Sequence, residues 1–402
     1  MSDLNILKNR DIIIISGQML NDRYWTSKQY IAHELIKHNR VLYVETNYSF
    51  GKLLSGFLGK KWPVTLLGRI TRDASGIDVL TPPPRLPWRN HFHWIGQLNQ
   101  LILRWKIQRA MHKLDYRNPI LWSFLHQTAA LVGKIPAAHW IYHCVDDWPE
   151  LLPMAGMGRS SQIMRDEWHL IQRVNVIFSV STGLLHQYAI PEHKLYYIPN
   201  GVDISLFDPE RYDQKLAPDD IADLPGPVIG FSGSLGKWID LDLILKTAQT
   251  YPECALVIIG LNEKNPQVSQ LFQHKNIYFL GMKPREEVPI YINAFDVCLM
   301  PFAKSMVGKG LMPLKLFEYL AMGKPIIATS SPALEAFEQI LYLAKNTDDF
   351  VRQVGRALTE SDTGLFQKRR DIATEYSWAA RITQYDAAIQ SSSKSTDYER
   401  NL

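Results

Sequence analysis

Lys315 and Glu318 stand three residues apart within residues 308–329, GKGLMPLKLFEYLAMGKPIIAT. On a helix, that spacing sets both side chains on one face about one turn apart. An ammonium there can neutralise a phosphate. A carboxylate there can accept hydrogen bonds from both vicinal hydroxyls of a ribose. The surrounding residues favour such a use. Gly308 and Gly310 supply a loop, and Pro313 suits the first turn of a helix. A helix start around Leu311, Met312 and Leu314 offers free N–H groups and the positive end of a dipole, which suit a diphosphate. Gly323 closes the helix, and Lys324-Pro325 leads into the next strand. The competing use of the pair is a solvent-exposed ion pair on an amphipathic helix. The loop, the proline and the apolar strand that follows favour the ligand site.

Gly233-Ser234-Leu235-Gly236-Lys237 is a second phosphate candidate. Its glycines allow close backbone approach, and Gly233, Ser234 and Lys237 would face the anion. The run is too short and wrongly spaced for a Walker loop or a dinucleotide fingerprint. In the first half, His143-Cys144-Val145-Asp146-Asp147-Trp148 ends a strand with two adjacent carboxylates. Asp146, Asp147 and His143 are candidates for acid–base work, although either aspartate can also cap a following helix. His126 is a further candidate, against the commoner structural role of a lone histidine. Gly17, Arg23, Tyr24 and Trp25 follow the first strand and would border an acceptor.

The elements that position these residues alternate. Short apolar runs at residues 11–17, 40–45, 77–80, 120–123, 139–143, 176–180 and 196–199 read as strands with helices between them. Residues 207–227, rich in Asp and Pro, read as a linker. Alternation restarts with strands at 228–232, 255–260, 277–280, 297–301 and 325–329, and helices at 239–250, 288–294, 314–322 and 349–359. The pattern predicts an α/β chain with two doubly wound, Rossmann-like parallel-sheet domains. Expected bounds are 1–206, 228–378, and a terminal helix at 379–402 packing back on the first domain, with a disordered end. Ligands in such folds sit at the carboxyl ends of the strands, which predicts a cleft site.

Composition agrees with this reading. The 402 residues are 46% hydrophobic and 21% charged, as in an ordinary globular chain too long for one core. Three scattered cysteines fit buried free thiols and a cytoplasmic setting. No signal peptide is apparent, and no apolar run approaches the roughly 20 residues needed to span a bilayer. The net charge of +4 hides an asymmetry: residues 1–140 hold 19 Lys and Arg against 8 Asp and Glu.

The second half resembles GT-B fold glycosyltransferases, close to glycosyltransferase family 4 and its teichuronic-acid-type relatives. The resemblance is carried by Pro199-Asn200-Gly201-Val202-Asp203, Phe279-Leu280-Gly281, Ala294-Phe295-Asp296-Val297 and the run from Pro313 to Pro325. Tyr376-Ser377-Trp378 resembles the motif before the terminal helix. The first half matches more weakly, through Asp22-Arg23-Tyr24-Trp25, residues 41–45 and residues 142–148. The resemblance implies that Glu318 holds the donor ribose, and that the backbone at Met282 and Lys283 meets the nucleobase. It places a basic residue such as Lys237 near the diphosphate, and aligns Asp146 with a family histidine. The family has a second glutamate eight positions before Glu318, where this chain has Gly310. No metal or cofactor is required by this reading; the substrate is a UDP- or GDP-sugar.

Transfer would break the bond between the anomeric carbon and the diphosphate, so fixed donors and cations at the leaving phosphate are the main lever. The acceptor would be a glycan or a lipid-linked sugar; nucleic acid is not expected as a partner. Residues 88–113 (Trp88, Arg89, Trp94, Arg104, Trp105, Lys106, Arg109) and residues 51–72 mix basic and aromatic side chains. They suit a peripheral contact with an anionic membrane. The alternative is a normal long helix with a buried apolar stripe. A nucleotide-sugar epimerase and an inert nucleotide-sugar-binding protein are the other function classes consistent with the residues.

Overall fold

The computed structural model describes residues 5–45, 68–86, 93–154, 159–212, 217–262, 267–304 and 312–400. The chain forms two compact units. One comprises Met1–Val180, Leu184–Ile198 and Ile382–Leu402, the other Ser181–Gly183 and Pro199–Arg381.

In the first unit the strands are β1 Asp11–Ile15, β2 Arg40–Val44, β3 Arg69–Arg72, β4 Asp78–Thr81, β5 Ile120–Ser123, β6 His139–Cys144, β7 Val176–Ser179 and β8 Leu195–Tyr197. Their order in the sheet is β3-β4-β2-β1-β5-β6-β7-β8. All pairings are parallel except β3 with β4. The isoleucines of β1 are buried on both faces, as a central parallel strand requires. Helices α1 (Ser27–Leu35), α2 (His93–Leu114), α3 (Trp148–Met154) and α4 (Ser160–Arg173) accompany them. Thr26 caps α1, with its N–H donated to Gln29 Oε1 at 3.0 Å. Strand β3 escapes the sequence pattern because it is a mostly exposed edge strand with arginine at each end.

The second unit carries β9 Val228–Ser232, β10 Ala255–Ile259, β11 Ile277–Gly281, β12 Val297–Met300, β13 Ile326–Thr329 and β14 Tyr342–Ala344. Their order is β11-β10-β9-β12-β13-β14, parallel throughout. Helices α5 (Leu241–Thr250), α6 (Val288–Ala294), α7 (Leu314–Ala321), α8 (Thr347–Leu358) and α9 (Thr363–Glu375) follow in turn. Two apolar clusters fill the unit, one including α6 and α7, the other α5 and α8. Arg369 of α9 is fully buried. Its guanidinium is held by both oxygens of Glu360 at 2.6 Å and by the Ile340 carbonyl at 3.0 Å.

The unit boundary lies at residue 199, ahead of the expected linker at 207–227. Just past that boundary the backbone is tied down. Val202 pairs with Ser377: Val202 N donates to Tyr376 O at 2.9 Å, and Trp378 N to Val202 O at 3.1 Å. Arg370 pairs with Asp208 and Glu210. The terminal helix α10 (Trp378–Arg400) changes allegiance along its length. Trp378–Arg381 belong with the second unit, and residues from Ile382 onward with the first, where Tyr385 is fully buried against Trp122 and Phe178.

Candidate functional site

The site in the second unit is built where β9 ends. Ser232 N donates to the Tyr319 hydroxyl at 2.8 Å, which pins α7 to the strand end. Four residues before Tyr319, and so one turn away, Lys315 reaches the same place. Its Nζ lies 4.4 Å from the centre of the Phe231 ring. It also rests against Gly233, where an added Cβ would come within 2.0 Å of Nζ. Gly233 has a φ of +148°, a conformation that favours glycine. A second glycine supports it: a Cβ on Gly260 would lie 1.9 Å from the Gly233 carbonyl oxygen. Gly233 N donates to Ile259 O at 2.8 Å and Leu235 N to Leu261 O at 2.7 Å. The loop therefore runs along the carboxyl edge of the sheet, with Ser234 half-buried and Lys237 exposed.

The approach to α7 is fixed by Asn200, whose side-chain amide donates to Met312 O at 3.1 Å. Pro313 occupies the N-cap in an extended conformation, one position earlier than the first-turn place expected for it. Gly310 and Leu311 lie outside the described residues.

Lys315 and Glu318 share the partly shielded face of α7. Among the described residues neither makes a hydrogen bond or an ion pair. Burial pushes the Lys315 ammonium down to about 8, with Glu318 opposing the shift. Burial pushes the Glu318 carboxyl up to about 7, against Lys315 and Arg285. A solvated surface ion pair would show neither shift. Two opposite charges held from water without direct partners are instead poised to be satisfied by a ligand carrying both an anion and hydroxyl donors.

Arg285 escaped the sequence reading. It bonds Asp203 at 2.5 Å and lies close enough to Glu318 to favour its ionised form. Met282 is half-buried after Gly281, whose carbonyl accepts from Gly260 N at 2.8 Å. The Lys283 amine is committed elsewhere, to Asp220 and over the Tyr291 ring at 4.7 Å.

In the first unit the structure separates the acid–base candidates. His143 is fully buried in an aromatic box of Trp122, Phe124, Phe178 and Tyr385. Trp122 Nε1 donates to its Nδ1 at 3.3 Å, and burial drives its basicity down to about 3, so it is neutral. Asp147 accepts from Glu150 N at 3.2 Å and caps α3. His126 is buried with its ring 6.0 Å from Trp148. Asp146 differs from His143 and Asp147: its carboxylate makes no hydrogen bond among the described residues. Burial raises its proton affinity and Lys28 opposes the rise.

Lys28 also escaped the sequence reading. It sits in the first turn of α1, 7% exposed, with Nζ 5.8 Å from the Trp148 ring centre. A lysine at the positive end of a helix dipole is out of place electrostatically, and that mismatch is the one signal the sequence held. Gly17 abuts Leu125, and Gln18 ties the loop to Tyr24 O at 2.6 Å and accepts from the Thr26 hydroxyl at 2.9 Å. Trp25, just ahead of α1, stacks on His33 of that helix at 4.4 Å, while Arg23 is exposed. Among the described residues no group of three or more His, Cys, Asp or Glu side chains is arranged to hold a metal ion.

Residues 226–360 match the family described as Glycosyl transferases group 1. The "Putative teichuronic acid biosynthesis glycosyltransferase TuaH" of Bacillus subtilis (strain 168) is 29% identical over 264 residues. That similarity covers 61% of this chain and 65% of the relative, so the chain spans a little under two thirds of its length. Among solved structures, sucrose-phosphate synthase from Thermosynechococcus elongatus superposes with a TM-score of 0.70 at 13% identity, covering 95% of this chain and 98% of that one. Anabaena Alr3699/HepE in complex with UDP-glucose gives 0.64 at 18% identity, with coverage of 95% and 99%. At such identities the likeness is one of fold, and that fold is GT-B.

Proposed function

We propose that the chain moves a sugar from a nucleoside-diphosphate sugar to a hydroxyl of an acceptor, a reading supported by the match of residues 226–360 to the family described as Glycosyl transferases group 1. The carrying observation is the Lys315–Glu318 pair on one face of α7, shielded and, among the described residues, without a side-chain hydrogen bond or ion pair. Glu318 accepts from the ribose hydroxyls. Lys315 and the backbone at the start of α7, with Gly310, Leu311 and Met312, hold the diphosphate. Lys237 adds a second cation, and Gly233 and Ser234 give the phosphates room. The backbone at Met282 and Lys283 meets the base. UDP is the favoured nucleotide, since the HepE structure is a complex with UDP-glucose. A cell-surface glycan, free or lipid-linked, is the favoured acceptor, given the relative named for teichuronic acid biosynthesis.

In the reaction the anomeric carbon–oxygen bond breaks and the electron pair leaves with the diphosphate. Fixed cations at that phosphate lower the barrier. Asp146 takes the proton of the incoming hydroxyl. Lys28 favours the ionised form of that carboxylate, against the burial that raises its proton affinity.

Incubation with a panel of nucleotide sugars and glycan acceptors tests the reading. Free nucleoside diphosphate together with an extended acceptor is the expected result. A rearranged donor with no transfer, or binding without turnover on any acceptor, would contradict it. Gly233→Ala is expected to weaken UDP binding roughly tenfold, because it strains the loop by about 1–3 kcal/mol and displaces Lys315. Calorimetric titration reads that change.

A further inference from the structure

Helix α2 turns Ile107, Ala110 and Met111 inward. Trp94, Leu98, Leu101 and Trp105 are instead 63%, 37%, 53% and 53% exposed. Their spacing of four, three and four residues places them in one stripe along the helix. At 1.5 Å per residue the stripe runs about 16 Å. A surface helix normally carries polar residues on its outer face. Single exposed apolar residues need no explanation, but a continuous row of four large ones marks a contact surface.

The charge around the row identifies the partner. Residues 93–114 contain Arg104, Lys106, Arg109 and Lys113 and no Asp or Glu. The charged ends of Lys106 and Arg109 lie 4.8 and 5.5 Å from the Trp105 ring centre. We propose that this face of α2 docks on the surface of an anionic lipid bilayer. Tryptophan favours the headgroup level, leucine reaches the acyl boundary, and the flanking cations meet lipid phosphates. The excess of 19 basic over 8 acidic residues in residues 1–140 adds a longer-range attraction of the same sign. A second copy of the chain is a poorer occupant, since pairing the stripes would bring like charges together. No helix among the described residues is long and apolar enough to cross a membrane, so the contact is one of lying on the surface. The proposal stands whether or not the chain transfers sugar.

Flotation with vesicles tests it. The protein should float with phosphatidylglycerol–phosphatidylcholine vesicles, less with phosphatidylcholine alone, and less as salt rises. Trp94→Ser with Trp105→Ser should lower the partition on the order of tenfold or more. Arg109→Gln with Lys113→Gln should lower it on the order of tenfold on anionic vesicles only. All four side chains are exposed, so the circular dichroism spectrum and UDP affinity should be unchanged. Those two readouts keep a failure here distinct from a failure of the donor site. Wild-type protein that stays out of the floating fraction, or tryptophan variants that float as well as wild type, would overturn the proposal. So would self-association lost in the tryptophan variants without vesicle binding, which would identify a second copy as the occupant.

Discussion

Glu318→Gln is expected to make the unliganded protein more stable and its grip on nucleoside diphosphate weaker. The carboxyl titrates near 7 in the folded protein, above its ordinary value of 4.5. In the unfolded chain it ionises freely above that ordinary value. Folding is therefore penalised increasingly as pH rises from 4.5 towards 7, and the penalty is complete above it. Glutamine removes this penalty, a gain on the order of 1–3 kcal/mol near neutral pH less what the Lys315 ammonium loses with its opposite charge. Glutamine also offers one neutral oxygen where the carboxylate offers two charged ones. Losing charge-assisted bonds to the ribose should cost about 1.5–3 kcal/mol, or roughly 10- to 100-fold in affinity. The pH dependence supplies an internal control. Below about 7 Glu318 holds a proton, and above about 8 Lys315 loses its charge, so wild-type affinity should peak between these values. The glutamine variant should lose the acid limb, and its alkaline limb should move to lower pH because Glu318 no longer helps Lys315 hold its proton. Thermal melting and calorimetry across pH read both effects. Unchanged melting together with unchanged affinity would contradict the assignment.

Asp146→Asn should cut transfer by roughly 10²- to 10⁴-fold, the usual worth of a positioned general base. Nucleotide affinity should stay within about twofold, because the base acts on the acceptor proton rather than on the donor. Burial raises the proton affinity of Asp146, so the wild-type rate should rise with pH through a value above the ordinary 3.8 of an aspartate. The asparagine variant should lack that limb. Initial rates with saturating donor, set beside nucleotide titrations, separate turnover from binding. Full activity in the variant would remove Asp146 from the chemistry. His143 and Asp147 are not substitutes: one is boxed by aromatic rings and the other caps α3.

Much of the fold was legible because parallel strands buried on both faces are apolar runs with clear ends. β5, β9 and α6 have the bounds expected from the residues alone. The losses were of another kind. β14 is three residues long, and β3 is a mostly exposed edge strand. Residues 207–227 read as a linker because they are rich in Asp and Pro and carry little periodicity; the ion pairs that tie Asp208 and Glu210 to Arg370, distant in sequence, leave no such mark. Helix α9 buries an arginine, and no pattern of apolar residues announces that.

The site divided along the same line. Lys315 and Glu318 were legible because helical spacing alone puts them on one face. Their lack of direct partners among the described residues was not, nor were the burial of Lys28 and the place of Arg285 beside Glu318. Those depend on what packs around a charge, which is decided by residues distant in sequence. The adjacent aspartates show it most plainly. Asp146 and Asp147 are chemically identical neighbours, and a hydrogen bond from Glu150 N is what commits one to a helix end.

The central claim is that α7 and the loop beside it hold a nucleoside diphosphate. Amide hydrogen exchange with and without saturating UDP tests it directly. Exchange should slow at residues 312–321 and 232–237, where the helix start, Lys315, Glu318 and the Gly233 loop meet. Saturable nucleotide binding that leaves both segments unchanged would contradict the claim.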